Sequence, residues 1–198
     1  MQHFWDERFD TKEYVYGRSP NEFFKEFIDT LKPGSVLLPA DGEGRNSVYA
    51  ALKGWNVTAF DFSSKAKEKA EKLAQEYNVE INYSISSIEE FSTKEKFDLI
   101  AIIFLHLPPD TRKKVHTKLI ENLKPGAYFL LEAFSKNQIN QDTGGPRNED
   151  LLYSGQDLLD DLTGLEIIHY KEITKERYEG YFHKGKAEII QLIGQKLN

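Results

Sequence analysis

Cysteine is absent from the 198-residue chain, which excludes disulfides, thiolate metal ligands and a cysteine nucleophile. Long apolar runs are absent too. None nears the ~20 residues of a membrane span, so no membrane association is expected. Lys and Arg number 26 against 32 Asp and Glu, a net charge of −6. The basic residues form no dense block beyond the solvated face of one helix, so the electrostatic footprint of a nucleic-acid binder is missing. The opening MQHFWDERFD is polar and acidic, unlike the basic start and apolar core of a signal peptide, and a cytoplasmic address is expected. Asn56 and Asn82 begin Asn-x-Ser/Thr triplets, but both fall in predicted strands and are read as chance matches.

What is present is an ordinary globular composition, 39% hydrophobic and 29% charged, in a chain long enough to bury a sizeable core. No repeat, linker or low-complexity stretch interrupts it, and a single domain over 1–198 is expected. Pro20 opens a helix with Phe23, Phe24, Phe27, Ile28 and Leu31 at helical spacing, stopped by Pro33-Gly34. Ser35–Ala40 is a short strand. The next helix turns Val48, Tyr49, Ala51 and Leu52 inward and ends at Gly54. Asn56–Phe60 is a strand, and Ser63 caps a Lys/Glu/Ala-rich helix running to about Tyr77.

Residues 80–85 form a third strand, and 97–105, FDLIAIIFL, reads as a central strand buried on both faces. Pro109-Asp110 opens a helix closed at Lys124-Pro125-Gly126, and Ala127–Ala133 is a fifth strand. Residues 135–150 form a loop long enough to suggest function. Ser154 then caps a short helix ending at Gly164. Two last strands, about 165–174 and 186–195, have a connector of only eleven residues between them. That is too short for a parallel crossover, so they pair as an antiparallel hairpin. The expected fold is α/β: a doubly wound, mostly parallel sheet with a reversed last strand and helices on both faces.

The segment VLLPADGEGRNSVYAA joins the first strand to a helix through a glycine turn. Gly42 and Gly44 let backbone approach a ligand, and the helix start offers N–H groups. Asp61 ends the second strand 19 residues after Gly42, where an acid can accept hydrogen bonds from ribose hydroxyls. Ser63 already supplies the cap of the next helix, so Asp61 is not needed for that purpose. A dinucleotide reader would place glycine where this chain has Ser47, and would put a diphosphate at the helix start, where Asp41 and Glu43 oppose it. A sulfonium and an ammonium welcome the same acids. The balance favours a methyl donor over NAD.

These segments, with WDERF and EYVYGRSPNEF before them and FDLIAIIFLHLPP and LKPGAYFLLEAF after, resemble the class I S-adenosylmethionine-dependent methyltransferases over nearly the whole chain. The small bacterial enzymes similar to the tellurite-resistance and thiopurine methyltransferases are the nearest subgroup. The resemblance implies a seven-stranded sheet, S-adenosylmethionine as cofactor and S-adenosylhomocysteine as product. It places the methionine part of the cofactor on Asp41, Gly42, Glu43 and Gly44, with Arg45 and Asn46 opening the helix. It puts the ribose on Asp61, with Phe62 packed against the adenine and Ser63 beside it. The adenine-edge acid of the family corresponds to Ser86, Ser87 and Ile88. Phe104, Leu105 and His106 would floor the methyl-transfer site. Residues 1–32 would form a cofactor-covering segment and helix, in which Tyr16 and Gly17 fold over the cofactor. The chain departs from the family at Leu38, where an acid is common, and at Ala40, where a glycine is; Asp41 supplies the missing charge.

Methyl transfer is an in-line displacement at an activated carbon, so the protein must align the reactants and exclude water. The acceptor is expected to be a small molecule: a chalcogen oxyanion, a thiol or a thiopurine-like compound. A neutral nucleophile would want a base, and His106 is the catalytic candidate. The same histidine would serve equally as a backbone partner that shapes its loop. His183 reads as a solvated loop residue, and His116 and His169 as structural. No histidine pair has metal-ligand spacing, so no metal is expected. Arg147 is either an anion holder on the long loop or a surface charge, and Tyr178, Tyr181 and Phe182 either line a pocket or pack their loop. A monomer or weak homodimer is expected. The competing readings are a cofactor-binding protein without turnover and, behind it, an NAD-dependent oxidoreductase.

Overall fold

The computed structural model describes residues 2–180 and 183–197. Its strands are β1 (Ser35–Pro39), β2 (Asn56–Asp61), β3 (Asn82–Ile85), β4 (Phe97–Ile103), β5 (Leu123–Phe134), β6 (Leu165–Glu179) and β7 (His183–Lys196). The helices are α1 (Gln2–Phe9), α2 (Glu22–Ile28), α3 (Arg45–Leu52), α4 (Ser64–Glu76), α5 (Pro109–Glu121) and α6 (Gly155–Asp161). The strands form one seven-stranded sheet in the order β3-β2-β1-β4-β5-β7-β6. It is mostly parallel with a reversed strand, as expected. The reversed strand, β7, lies inside the sheet and leaves β6 at the edge.

The chain divides into two compact units, Met1–Ser92 with Glu179–Tyr181, and Thr93–Tyr178 with Phe182–Asn198. In the first, β2 pairs in parallel with β1 and β3, placing Leu38 opposite Ala59 and Asp61 opposite Ile85. Val36, Leu37 and Leu38 are at most 1% exposed, which is why this short strand is apolar throughout. Ser63 caps α4 by accepting from Ala66 N, as the sequence predicts. Helix α2 starts one residue after Asn21, whose side chain accepts from Phe24 N; this cap sets the start, not Pro20, and the helix stops short of Leu31. The first ten residues add a helix, α1, whose Trp5 and Phe9 pack with Val15, Tyr16 and Ala66.

Helix α3 corrects the predicted inward face. Arg45, Asn46, Ser47, Val48 and Ala50 are buried, whereas Leu52 is 46% exposed. The first turn of this helix is the part covered, by the chain segment that runs from residue 11 to 21.

In the second unit, β4 pairs in parallel with β5, and β5 antiparallel with β7. Leu99, Ile100, Ala101 and Ile102 are at most 1% exposed, as their unbroken apolar run requires. Lys124-Pro125-Gly126 does not close α5. That helix ends at Glu121, Asn122 caps it, and the Asn122 carbonyl accepts from Phe97 N at 2.9 Å, so the chain is already entering β5. The Pro-Gly pair is absorbed in a bulge, where the register jumps from Phe97↔Leu123 to Leu99↔Tyr128. Both last strands run longer than the sequence indicates, with only residues 180–182 between them.

Ala40, at the end of β1, has φ 52°, a left-handed conformation that a Cβ makes unfavourable. Ala40→Gly is expected to stabilise the protein by about 0.5–1 kcal/mol in urea unfolding, net of the entropy that glycine adds to the unfolded chain. A loss of stability would show that this backbone conformation carries no strain.

Candidate functional site

The turn between β1 and α3 is built on two carboxylates. Asp61, closing β2, accepts from Gly42 N at 3.1 Å through Oδ2 and from Ser63 N at 2.9 Å through Oδ1. Asp41 accepts from Ser47 N at 3.1 Å through Oδ2 and from Asn46 Nδ2 at 3.1 Å through Oδ1. Tyr83, from β3, donates its hydroxyl to the Gly42 carbonyl at 2.6 Å. Gly44, at φ 83°, is where α3 and α4 meet: a Cβ there would lie 2.5 Å from the Cβ of Ala70 and 2.8 Å from its Cα. Glycine is required at this point for both reasons.

Burial raises both acids. Asp41 is pushed up to about 6, against the hydrogen bonds from Ser47 and Asn46 and the charge of Arg45. Asp61 is raised by burial, with the Ser63 and Gly42 amides opposing and the charge of Asp6 adding to it. The Tyr83 phenol is held well above its ordinary value by burial and then by Asp41, Asp61 and Glu43. Neither Asp41 nor Asp61 has an ion-pair partner among the described residues. The turn therefore gathers negative charge beside the half-buried backbone of Gly42, an arrangement that suits a cationic ligand.

Glu43 and Arg45, from the same motif, are engaged differently. Glu43 Oε2 accepts from Val15 N at 2.7 Å and Tyr16 N at 3.4 Å, while Oε1 pairs with Lys69 Nζ at 2.6 Å. Arg45 Nη2 pairs with Glu179 Oε2 at 2.9 Å, and its Nη1 faces the carbonyls of Tyr16 and Ser19 at 3.4 Å. Tyr16 is half-buried, with its hydroxyl accepting from Arg8 at 3.0 Å, and Gly17 follows at φ 74°. Phe62 is half-buried after Asp61. Ser86 N donates to the Asp61 carbonyl at 3.0 Å, Ser87 Oγ accepts from Glu90 N at 3.2 Å, and Ile88 is buried. All the cofactor residues expected from sequence, except Phe104 and Leu105, lie in this first unit.

Phe104, Leu105 and His106 belong to the second unit, at the carboxyl end of β4. Phe104 has φ 54° and donates its N–H to the Glu132 carbonyl at 2.8 Å. The Arg177 guanidinium sits 4.4 Å from its ring centroid and pairs with Glu132 Oε1 at 2.7 Å; Gln191 Nε2 donates to Oε2 at 2.6 Å. Tyr153, fully buried, donates to the Leu105 carbonyl at 2.8 Å and accepts from Leu107 N at 3.0 Å. Between those two residues, His106 Nδ1 lies 2.7 Å from the Leu151 carbonyl. A carbonyl only accepts, so Nδ1 carries the proton. Nε2 is shut from water and has no hydrogen-bond partner among the described residues. Burial holds the imidazole down at about 4, with His183 acting the same way and the Leu151 bond opposing. His106 is neutral near pH 7.

One histidine departs from the sequence reading, while His116 and Arg147 fall within it. His183 is not solvated: it begins β7, is buried, and packs its ring 4.9 Å from Phe104 and 5.5 Å from Phe134. The longer hairpin strands carry it inward. His116 is buried beside Asp161, with Nδ1 3.3 Å from Oδ2. Arg147 is exposed and pairs with Asp142 at 3.1 Å. Tyr178 is 75% exposed, and Tyr181 and Phe182 lie outside the described residues. The loop at 135–150 holds two short 3-10 turns, pinned by buried Gln138, whose Oε1 accepts from Glu188 N at 2.7 Å. Tyr83, Glu132, Tyr153 and Arg177 were not singled out from sequence; only Glu132 carries a local signal, as a lone charge in the apolar run YFLLEAF. Among the described residues there is no group of three or more His, Asp or Glu that could hold a metal, and no helix is long and apolar enough to cross a membrane.

The family model described as tellurite resistance protein TehB matches residues 3–185. The chain is similar to the probable S-adenosyl-L-methionine-dependent methyltransferase TehB of Haemophilus influenzae strain 10810, 26% identical over 105 residues, which cover 52% of this chain and 37% of that protein. The matched stretch is thus under two-fifths of that relative's length. The solved structure of TehB from Haemophilus influenzae superposes with a TM-score of 0.74 at 19% identity, covering 98% of this chain and 66% of that one. The N-methyltransferase NodS of Bradyrhizobium japonicum WM9, solved with S-adenosyl-L-homocysteine, gives a TM-score of 0.72 at 13% identity and covers 100% and 98%. At these identities the likeness to solved structures shows the fold, that of the class I methyltransferases.

The buried acid of the turn gives a test independent of any likeness. A carboxyl raised on folding stabilises most when protonated in both states, and its contribution falls as pH rises from about 4 to about 6. The stability of the protein relative to Asp41→Asn is therefore expected to decline across that window and level off above it. Urea unfolding at half-unit steps from pH 4 to 8 measures the difference, and a flat or rising trace contradicts the burial of this charge.

Proposed function

Since the chain belongs to the family of tellurite resistance protein TehB, we propose that it transfers the methyl group of S-adenosylmethionine to a small-molecule acceptor and releases S-adenosylhomocysteine. One observation carries the cofactor: Asp41 and Asp61 flank the Gly42 turn with no cationic partner among the described residues. A sulfonium and an ammonium relieve that buried negative charge, whereas a diphosphate adds to it. The names of the relatives support the same cofactor. Asp61 takes the ribose hydroxyls on the lone pairs that the Gly42 and Ser63 amides leave free, because each carboxylate oxygen accepts more than one bond. Gly42, Gly44 and Asn46 face the methionine part, and Phe62 with Ser86–Ile88 the adenine.

Phe104, Leu105 and His106 meet the acceptor at the carboxyl end of β4. A histidine held near 4 abstracts protons poorly at neutral pH, so the acceptor arrives already nucleophilic, as a thiolate or a chalcogen oxyanion does. His106 then acts through shape and its free Nε2, and the reaction needs in-line approach more than a base.

Calorimetric titration tests the cofactor. Micromolar binding of S-adenosylmethionine and S-adenosylhomocysteine is expected with none of NADH, and Asp61→Ala is expected to weaken both by about 1–3 kcal/mol. Undiminished affinity in that variant removes Asp61 from the site, and failure of both sulfur nucleosides to bind overturns the reading. With a thiol acceptor, rate against pH is expected to follow the acceptor's own ionisation, with no further limb near pH 6–7 that His106→Gln removes.

A further inference from the structure

The segment from Thr11 to Asn21 packs Val15 and Tyr16 against Trp5 and Phe9, and its backbone is held by side chains of α3, α4 and the glycine turn. Lys69 donates to the Glu13 carbonyl at 2.6 Å and to Thr11 Oγ1 at 3.3 Å. Glu43 takes the amides of Val15 and Tyr16, Arg45 faces the carbonyls of Tyr16 and Ser19, and Asn46 Oδ1 accepts from Asn21 N at 2.9 Å. Four side chains thus meet the segment in order along its length. Three of them stand in the motif Gly42–Ser47 that the cofactor is proposed to use. The fourth, Lys69, is bound to Glu43. Further along, Glu179 pairs with Arg45 and Gly180 closes on the segment from outside. A Cβ on Gly180 would lie 2.2 Å from the Val15 carbonyl oxygen, 2.6 Å from Tyr16 Cα and 2.7 Å from Gly17 N.

We infer that Glu43 and Arg45 are positioning residues that act on the cofactor through this strap, with Glu179 and Gly180 as its outer stop. Their charged groups are committed to strap backbone, to Lys69 and to Glu179, so they retain the cofactor by keeping the strap closed beside the turn. Arg45 and Glu43 are 8% and 4% exposed, and the short charge-assisted contacts of this bracket are Glu43 to Val15 N at 2.7 Å and to Lys69 at 2.6 Å, and Arg45 to Glu179 at 2.9 Å. Gly17 and Gly180 approach each other closely, with a Cβ on Gly17 falling 3.6 Å from Gly180 N. The inference rests on the proposed cofactor site, and it predicts an effect on release from residues that do not bind the ligand by their charges.

The test uses the full chain with S-adenosylhomocysteine. Its dissociation rate is measured by stopped flow, and amide exchange of residues 11–19 is followed with and without it, alongside the thermal midpoint. Arg45→Ala and Gly180→Ala are expected to speed dissociation at least about tenfold and to raise exchange across 11–19, the first by removing bonds and the second by excluding the strap sterically. Glu179→Gln removes only the ion pair, is expected to show a smaller change in the same direction, and carries the test if either of the others does not fold. Folded variants with unchanged dissociation overturn the inference, whether or not exchange rises, because the strap then does not gate release. If the unaltered protein binds no S-adenosylhomocysteine, the cofactor reading itself has failed, and this inference falls with it.

Discussion

Asp61 gives one carboxylate oxygen to the Gly42 amide and the other to the Ser63 amide, and by this bridge the end of β2 fixes the turn that leaves β1. The other features of the first unit depend on that bridge. With Gly42 held, its carbonyl is presented to Tyr83 and Gly44 can cap α3 in the left-handed region, where Ala70 leaves no room for a Cβ. Ser63, whose amide is one end of the bridge, then caps α4 with its hydroxyl and also donates to Asp6 of α1. A single buried acid therefore sets the starts of two helices and anchors a third. The cost is a carboxylate kept from water with only neutral donors around it, and Asp41 repeats the arrangement one turn away.

Folds tolerate such an arrangement where a ligand completes it. Replacing either acid with an apolar residue would leave the amide groups that it accepts from without acceptors, so removal costs structure as well as charge. Keeping both concentrates negative potential at a glycine turn, where side chains are smallest and backbone most approachable. Glu43 shows the contrast. Its charge is matched by Lys69, and it serves as a bracket for Val15 and Tyr16. Of the acids Asp41, Glu43 and Asp61, two have no ion-pair partner among the described residues and one holds the chain that lies beside them. The two roles follow from the presence or absence of a lysine on the next helix.

Local signals in the sequence account for much of this. Ser63 before a Lys/Glu/Ala helix, the unbroken apolar run of β4, and Asp61 at a strand end after a glycine turn all depend on neighbours within a few residues, and all appear where the sequence puts them. The failures are of two kinds. One is competition between local rules: Lys124-Pro125-Gly126 has the composition of a helix stop, but a bulge in β5 accommodates it, and Asn21 outranks Pro20 as the start of α2 because its side chain satisfies an orphan amide. The other is distance along the chain. The duties of Glu43 and Arg45 depend on residues 26 to 134 positions away, and a buried His183 depends on hairpin strands whose charged, alternating edge reads as loop. No window of sequence holds such information.

The second unit shows why a lone charge in an apolar strand is worth noting. Glu132 is 1% exposed in the middle of the sheet, which would be prohibitive without partners. Arg177 and Gln191 occupy its two oxygens, and the guanidinium in turn lies against the face of Phe104, the residue that leaves β4 in a left-handed conformation. That conformation turns the chain so that Leu105 and Leu107 meet the Tyr153 hydroxyl and His106 meets Leu151. The buried pair therefore supports the geometry of the segment rather than adding charge to it, and His106 stays neutral although an arginine and a glutamate are built into the same unit. Under the proposed function, a surface shaped by backbone bonds and aromatic faces, with its ion pair internally matched, would select an acceptor by fit and by the acceptor's own nucleophilicity. This division of labour accords with methyl transfer, in which the sulfonium has already activated the carbon and the protein has chiefly to align the partners.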